Sequence, residues 1–225
     1  MPIRSLETHL PFEGVEVGDI GTKLGYNGMD NGFLSFNKYR TPRENLLSRF
    51  VNVDKQGNFE VRGDPRAVYS IMMLTRVGMI GGSWFALARS ALISIRYAVC
   101  RRQFKTIKGS REERKLLDYQ THMAILGPYL ASSFIIKFVG MTFAQLSMKS
   151  NDLVLRDNNY EMLEMLHHFS SGFKSYMTDH AIAGMDEMRQ ACGGAGFHLA
   201  SGVALHWANS APLATYEGVN TVMMQ

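Results

Sequence analysis

The sharpest constraint on the fold is a change of pattern at Asp64 and Pro65. Before it, Gly14, Gly18, Gly21, Gly25, Gly28, Gly32 and Gly57 break the chain into short runs such as 15–20 and 33–36, which read as strands and turns with no helical period. Asp is a preferred N-cap and Pro a preferred first helical residue, so this pair predicts a helix start. From there to about Arg101, Val68, Met72, Thr75, Met79, Trp84, Leu87 and Ile95 follow helical spacing, predicting one long helix loosened at Gly78, Gly81 and Gly82. Ser110 and Glu113 have the spacing of a capping box, although the second helix could begin as late as Leu116. Its predicted face is Leu116, Tyr119, Met123, Leu126, Leu130, Phe134 and Phe138, running to about Met148 with a kink at Pro128. A third helix should begin near Asn158, carry Leu163, Leu166, Phe173, Met177 and His180, and stop at Gly193 and Gly194. A fourth is expected to start near Glu217. The fold class is therefore mainly α, an up-and-down helical bundle over 64–225 preceded by a short β-rich segment over 1–63.

Composition narrows the chemistry. With 225 residues, 46% hydrophobic and 20% charged, the chain can bury a sizeable core. Seven of the fifteen residues in 101–115 are Lys or Arg, and the net charge is +4. Glu112, Glu113 and Asp118 interrupt or follow that run, and no recognisable nucleic-acid module accompanies it. The reading is a solvated surface first, an anion site for a pyrophosphate or CoA phosphate second, and nucleic acid last. Cys100 and Cys192 are too few for a disulfide framework, which favours a reducing compartment. Seven histidines show no metal-ligand spacing, so no metal is expected. The start, MPIRSLETH, lacks the apolar stretch of a secretory signal. The uncharged stretch 119–136 reaches membrane-spanning length, but Gln120, His122, Gly127 and Pro128 make it a buried helix rather than a span.

Three motifs carry the chemistry. In TYEGVNTVMMQ (215–225), Glu217 stands between Tyr216 and Gly218, where apolar neighbours could desolvate a carboxylate and fit it for general-base work. An acid at a helix start, favoured by the helix dipole, is the plainer alternative. Upstream lie ACGGAGF (191–197) and RYAVCRRQF (96–104). In this order and at these distances the three motifs resemble the acyl-CoA oxidases, flavoenzymes of the acyl-CoA dehydrogenase superfamily. The likeness runs from PIRSLETHLPFEGVEVGDIGTKLGYNG onward, and DIGTKLGYNGMDNG (19–32) is more oxidase-like than dehydrogenase-like.

The resemblance implies that 1–63 is the end of a flavin-side β-domain and 64–225 the following bundle of the acyl-CoA dehydrogenase type. It implies Glu217 as the base that removes the α-proton of an acyl thioester, with FAD as cofactor. Arg101, Gln103 and Phe104 match the stretch that reaches FAD phosphates across a homodimer interface, and an Arg suits that role through its fork of charged donors. Gln120 matches a flavin-contacting Gln. Gln190, Gly193, Gly194 and Gly196 match a Gly-rich turn that lets the cofactor approach backbone closely, and Asn220 falls on a further cofactor position. Arg76, Tyr216 and Gly218 fall on the substrate side. The implied reaction turns acyl-CoA into trans-2-enoyl-CoA, with O2 as electron acceptor and hydrogen peroxide as product, in fatty acid β-oxidation. Peroxisomal placement follows from the resemblance alone. Ala195 stands where the family usually has His, and Val219 where it often has an acid. A family enzyme also has domains on both sides of these segments. A dehydrogenase that hands electrons to a flavoprotein carrier and a non-catalytic structural or interaction protein are the alternatives.

Overall fold

The computed structural model describes residues 1–62, 64, 66–105 and 108–225, with the side chains of 67–69 left aside. Two compact units divide between Ala67 and Val68.

In the first unit, β1 (Val15–Asp19) pairs antiparallel with β2 (Gly32–Phe36), Val15 opposite Phe36 and Asp19 opposite Gly32. A second hairpin joins β3 (Val51–Val53) to β4 (Phe59–Val61). Its turn is organised by Asp54, whose carboxylate accepts from the amides of Gln56 and Asn58 at 2.8 Å and from the Asn58 side chain at 2.7 Å. These bonds, the Asn58 side chain first, hold the Asp54 carboxyl below its usual range.

The second unit is built on α1 (Ala67–Cys100), α2 (Gln120–Asp157) and α3 (Glu161–Ala191), followed by the short α4 (Gly194–Phe197), α5 (Val203–Ser210) and α6 (Asn220–Met223). Asp64 Oδ1 accepts from the Arg66 amide at 2.8 Å, as a residue capping a helix start does. Gly63 and Pro65, which mark the expected boundary and first helical position, lie outside the described residues, as does the side chain of Val68. The capping-box spacing at Ser110 and Glu113 starts no helix: Ser110 Oγ instead pairs with the amide and carbonyl of Glu112, and α2 begins at Gln120 after a 3-10 turn at Leu116–Asp118. Asn158, in the left-handed conformation (φ 51°), ends α2, and the Asn159 side chain accepts from the Glu161 amide as α3 begins.

The core interleaves large apolar side chains with serine and glycine. On α2 the buried positions are Leu126, Ser133, Ile136, Gly140, Phe143, Ser147, Ser150 and Val154, spaced by threes, fours and sevens. On α3 they include Leu163, Leu166, Ser170, Lys174, Met177, Ala181, Gly184 and Met188. This alternation is that of antiparallel bundles. It overturns the apolar face predicted for α2, because Met123, Leu130, Phe134 and Phe138 are exposed and only Leu126 of the long apolar set points inward. The stretch 119–136 is likewise not a buried helix. By length and composition alone, Ser70–Cys100 and Gln120–Asp157 could cross a membrane, but apolar outer faces give a bundle helix the same composition. Nor does α1 loosen at its glycines. It is continuous, and a Cβ on Gly140 would stand 3.2 Å from Gly81 Cα, so the glycines let two backbones close on each other.

Candidate active site

The tail of the chain folds back over α1 and α3. A 3-10 turn at Ala211–Ala214 starts with Pro212 in its first turn, and the Pro212 carbonyl accepts from the amides of Thr215 and Tyr216 at 2.9 and 3.0 Å. The next two residues have positive φ, 57° at Glu217 and 113° at Gly218, and α6 begins only at Asn220. Glu217 therefore does not start a helix. A non-glycine residue in the left-handed region is uncommon and costs on the order of 1 kcal/mol or more, so the surrounding structure must impose it. Tyr216 is half-buried, and Glu217 is an exposed residue. Thr75 Oγ1 on α1 lies 3.0 Å from Glu217 Oε2 and 2.8 Å from the Met72 carbonyl, its one proton shared between two acceptors.

Two buried cations lie under this turn. Arg76, 4% exposed, donates from Nη1 to Ser171 Oγ at 3.0 Å and faces His167 Nδ1 at 3.3 Å. A guanidinium has no acceptor, so His167 Nδ1 must accept and carry no proton. Burial, then the charges of Arg76 and His168, push the His167 pKa down. Arg76 is thus turned into the seam between α1 and α3 rather than solvated, and burial lowers its pKa against the opposing pull of Glu217. Lys174 on α3 is fully buried. Its ammonium donates to the Gly218 carbonyl at 2.6 Å and to Asn220 Oδ1 at 2.7 Å. Burial lowers its pKa, while Asp179 and Glu217 oppose that shift and Arg76 adds to it. Asn220 Nδ2 lies within 3.2 Å of Ser175 O, Thr178 Oγ1 and Asp179 Oδ1. The Asn220 side chain, which the resemblance assigns to the cofactor, is bound to α3 and 4% exposed.

A second cluster gathers at the other end of α1. Just past Cys100 the chain pairs with 114–116: the Gln103 amide donates to Arg114 O, the Arg114 amide to Phe104 O and the Leu116 amide to Arg101 O, all at 2.9 Å. Tyr119 Oη donates to Gln103 O at 2.8 Å, tying this ribbon to the entry of α2. A cleft of ≈ 450 Å³ opens there, lined among others by Arg101, Gln103, Phe104, Gln190, Gly193 and Gly194. Six of the expected site residues therefore share one cleft. Gln120, at the first position of α2, does not line it, and Gly196 stands behind it: a Cβ on Gly196 would sit 1.8 Å from the Arg189 carbonyl oxygen. Gly193, at φ 59° and ψ −138°, has a conformation open essentially to glycine alone. His122 also lines the cleft; its Nε2 is buried without a partner among the described residues, and burial lowers its pKa. Cationic, amide and backbone donors around an open cleft fit the pyrophosphate of a dinucleotide. From Arg76 to the end of α1 is about 36 Å at ~1.5 Å per residue, so the two clusters lie too far apart for one dinucleotide to touch both.

Sequence reasoning missed Lys174, Thr75 and His122. Lys174 had a signal: it interrupts the buried stripe of α3 between Ser170 and Met177, where a charge is out of place unless it is paired. Nothing local marks Thr75 or His122.

Residues 69–225 match the family model described as the acyl-CoA oxidase C-alpha1 domain. The chain is 39% identical over 225 residues to peroxisomal acyl-coenzyme A oxidase 1 of Dictyostelium discoideum, covering 100% of this chain and 32% of that protein. To the Rattus norvegicus protein of the same name it is 38% identical over 224 residues, covering 100% and 34%. Among solved structures, Arabidopsis thaliana acyl-CoA oxidase 1 superposes with a TM-score of 0.92 at 36% identity, covering 98% of this chain and 34% of that one. Acyl-CoA oxidase-2 of Caenorhabditis elegans, bound with FAD, ascaroside-CoA and ATP, also gives 0.92, at 34% identity over 100% and 34%. The chain spans about a third of the length of these relatives.

Proposed function

The chain belongs to the acyl-CoA oxidase family, and from that premise we propose that it forms the catalytic-base side of a FAD-dependent peroxisomal acyl-CoA oxidase. The reaction removes one α-proton and one β-hydride from an acyl-CoA, giving a trans-2-enoyl-CoA, and O2 leaves as hydrogen peroxide. In this reading 1–63 closes the flavin-side β-domain and 64–225 is the bundle that follows it. When bound, FAD would supply the two-electron acceptor for the β-hydride and the route of those electrons to O2.

Glu217 takes the α-proton. The observation that carries this assignment is the turn itself: a carboxylate held in a strained left-handed conformation, touched by Thr75 and anchored from below by Lys174. Strain that the structure over-determines is a mark of functional positioning. Its exposure leaves one face of the carboxylate open to a thioester, with Tyr216 and Gly218 on either side. Arg76 serves this site from beneath, through its charge, because its guanidinium is buried against Ser171. At the other end of α1, Arg101, Gln103, Phe104, Gln190, Gly193 and Gly194 hold cofactor phosphates, with Gln120 between the cleft-lining Tyr119 and Thr121, Gly196 packing the turn and Asn220 ordering the tail. The distance between that cleft and Glu217 supports a reading in which the flavin held there belongs to a partner subunit of a homodimer.

Glu217→Gln preserves shape and hydrogen bonding but removes the basic site. In the FAD-loaded enzyme it is expected to leave acyl-CoA binding nearly intact and to slow flavin bleaching, read by rapid-mixing absorbance, by at least the ~10²–10⁴-fold typical of a general base. Bleaching within a few-fold of the parent rate would place the proton on another residue.

A further inference from the structure

Resting on the assignment of Glu217 as the base, we propose that Lys174 is a positioning residue for the reaction, fixing the backbone of the Glu217 turn through the Gly218 carbonyl and the Asn220 side chain. Lys174 is fully buried on α3, 43 residues before Glu217 in the chain, and it is no part of the three motifs that carry the family likeness. A buried ammonium requires partners, and the two it finds are both in the tail: Gly218 O at 2.6 Å and Asn220 Oδ1 at 2.7 Å. The first is the carbonyl of the residue after the base. Rotating the Glu217 or Gly218 backbone out of its positive-φ conformation would swing that carbonyl away and strand the charge. The second partner, Asn220, is held in turn by Ser175 O, Thr178 Oγ1 and Asp179 Oδ1, one, four and five residues beyond Lys174 on the same helix. The clamp is therefore closed: α3 grips the turn on both sides, and the cation is its centre.

The groups that bear on Lys174 are Asp179 on its own helix, Arg76 from α1 and Glu217 from the tail. With Arg76, it is one of two buried cations beneath the turn that carries Glu217. Removing Lys174 strands the Gly218 carbonyl and the Asn220 side chain and frees that turn.

The test uses the FAD-loaded enzyme and a 3-thia-acyl-CoA, whose α-proton can exchange although the β-position yields no hydride. Exchange with deuterated water, followed by NMR, reads the base alone, and titration of the flavin spectrum with the same thioester reads binding. Lys174→Met, similar in length and uncharged, is expected to slow exchange about 10²-fold, the scale of a misplaced catalytic group, while leaving thioester binding nearly unchanged. Asn220→Leu keeps the cation but breaks the clamp, so it is expected to slow exchange as well; it decides the matter if Lys174→Met does not load flavin. Exchange within threefold of the parent in a folded, flavin-loaded variant, with only a lower melting temperature, would reduce Lys174 to a structural role and overturn the proposal. Glu217→Gln is run alongside. Exchange persisting there would defeat the base assignment itself, whereas exchange lost there and retained in Lys174→Met defeats only the inference about Lys174.

Discussion

At the scale of the residue, charge and burial depart most from what local sequence suggests. Glu217 was legible because it lies in a contiguous motif; its left-handed backbone and its hold by Thr75 and Lys174 were not, since those partners lie 142 and 43 residues away in the chain. His206 shows the same difficulty. Its Nε2 lies 3.0 Å from the Ala86 carbonyl on α1 and must donate, because a carbonyl only accepts. Burial, with help from Arg89, pushes the His206 pKa below the ordinary value of about 6.5, and the bond to Ala86 opposes this. A depressed value means that the unfolded chain binds the proton first as pH falls. Stability is then full above the ordinary histidine value and is lost as pH drops from there through the folded value. His122 and His167, also depressed by burial, act in the same direction. Urea unfolding at a series of pH values should show stability falling below the ordinary histidine range, and His206→Gln, which can still donate to Ala86, should flatten that fall. A slope identical in the variant would show that His206 does not contribute.

At the scale of the element, the existence and order of the three long helices could be read from periodicity, but the inward faces could not. The apolar stripe through Met123, Leu130, Phe134 and Phe138 faces outward on α2, and the seam holds Ser133, Gly140, Ser147 and Ser150 among Leu126, Ile136, Phe143 and Val154. Periodicity identifies a stripe, yet two stripes at similar spacing, one wholly apolar and one mixed, cannot be ranked without knowing how closely the helices approach. The glycines settle that approach. A Cβ on Gly140 would stand 3.2–3.4 Å from the Gly81 backbone, whereas one on Gly82, one residue along α1, would meet nothing within 4 Å. The two should respond oppositely to substitution. Gly82→Ala removes unfolded-state freedom inside a helix and is expected to stabilise by about 0.5–1 kcal/mol. Gly140→Leu must push backbone apart and is expected to cost about 1–3 kcal/mol. Denaturant midpoints of the two variants check this; a stabilised Gly140→Leu would mean that the α1–α2 crossing is looser than the structure shows.

At the scale of the whole molecule, the short α4 and α5 between the third helix and the tail went unread, because 191–216 carries no Lys, Arg, Asp or Glu to reveal a polar face. The two clusters toward opposite ends of α1 make the strongest claim about assembly. With about 36 Å of α1 between them, one subunit in our proposal offers its Glu217 to one flavin and its Arg101 cleft to another. A dimer of that kind has two composite sites, each with Glu217 from one chain and Arg101 from the other. Arg101→Ala removes the charged fork from the cleft, and Glu217→Gln removes the base, so either homodimer has two defective sites. In the mixed dimer both defects fall on the same site, one from each chain, while the other site receives an unaltered Glu217 and an unaltered Arg101. Co-expression with two affinity tags and isolation of the doubly tagged species should therefore restore about half the parent rate of peroxide formation. If Arg101 served the flavin of its own chain, the defects would fall on different sites and the mixed dimer would merely average the two homodimers; that outcome would remove the intersubunit assignment while leaving Glu217 as the base.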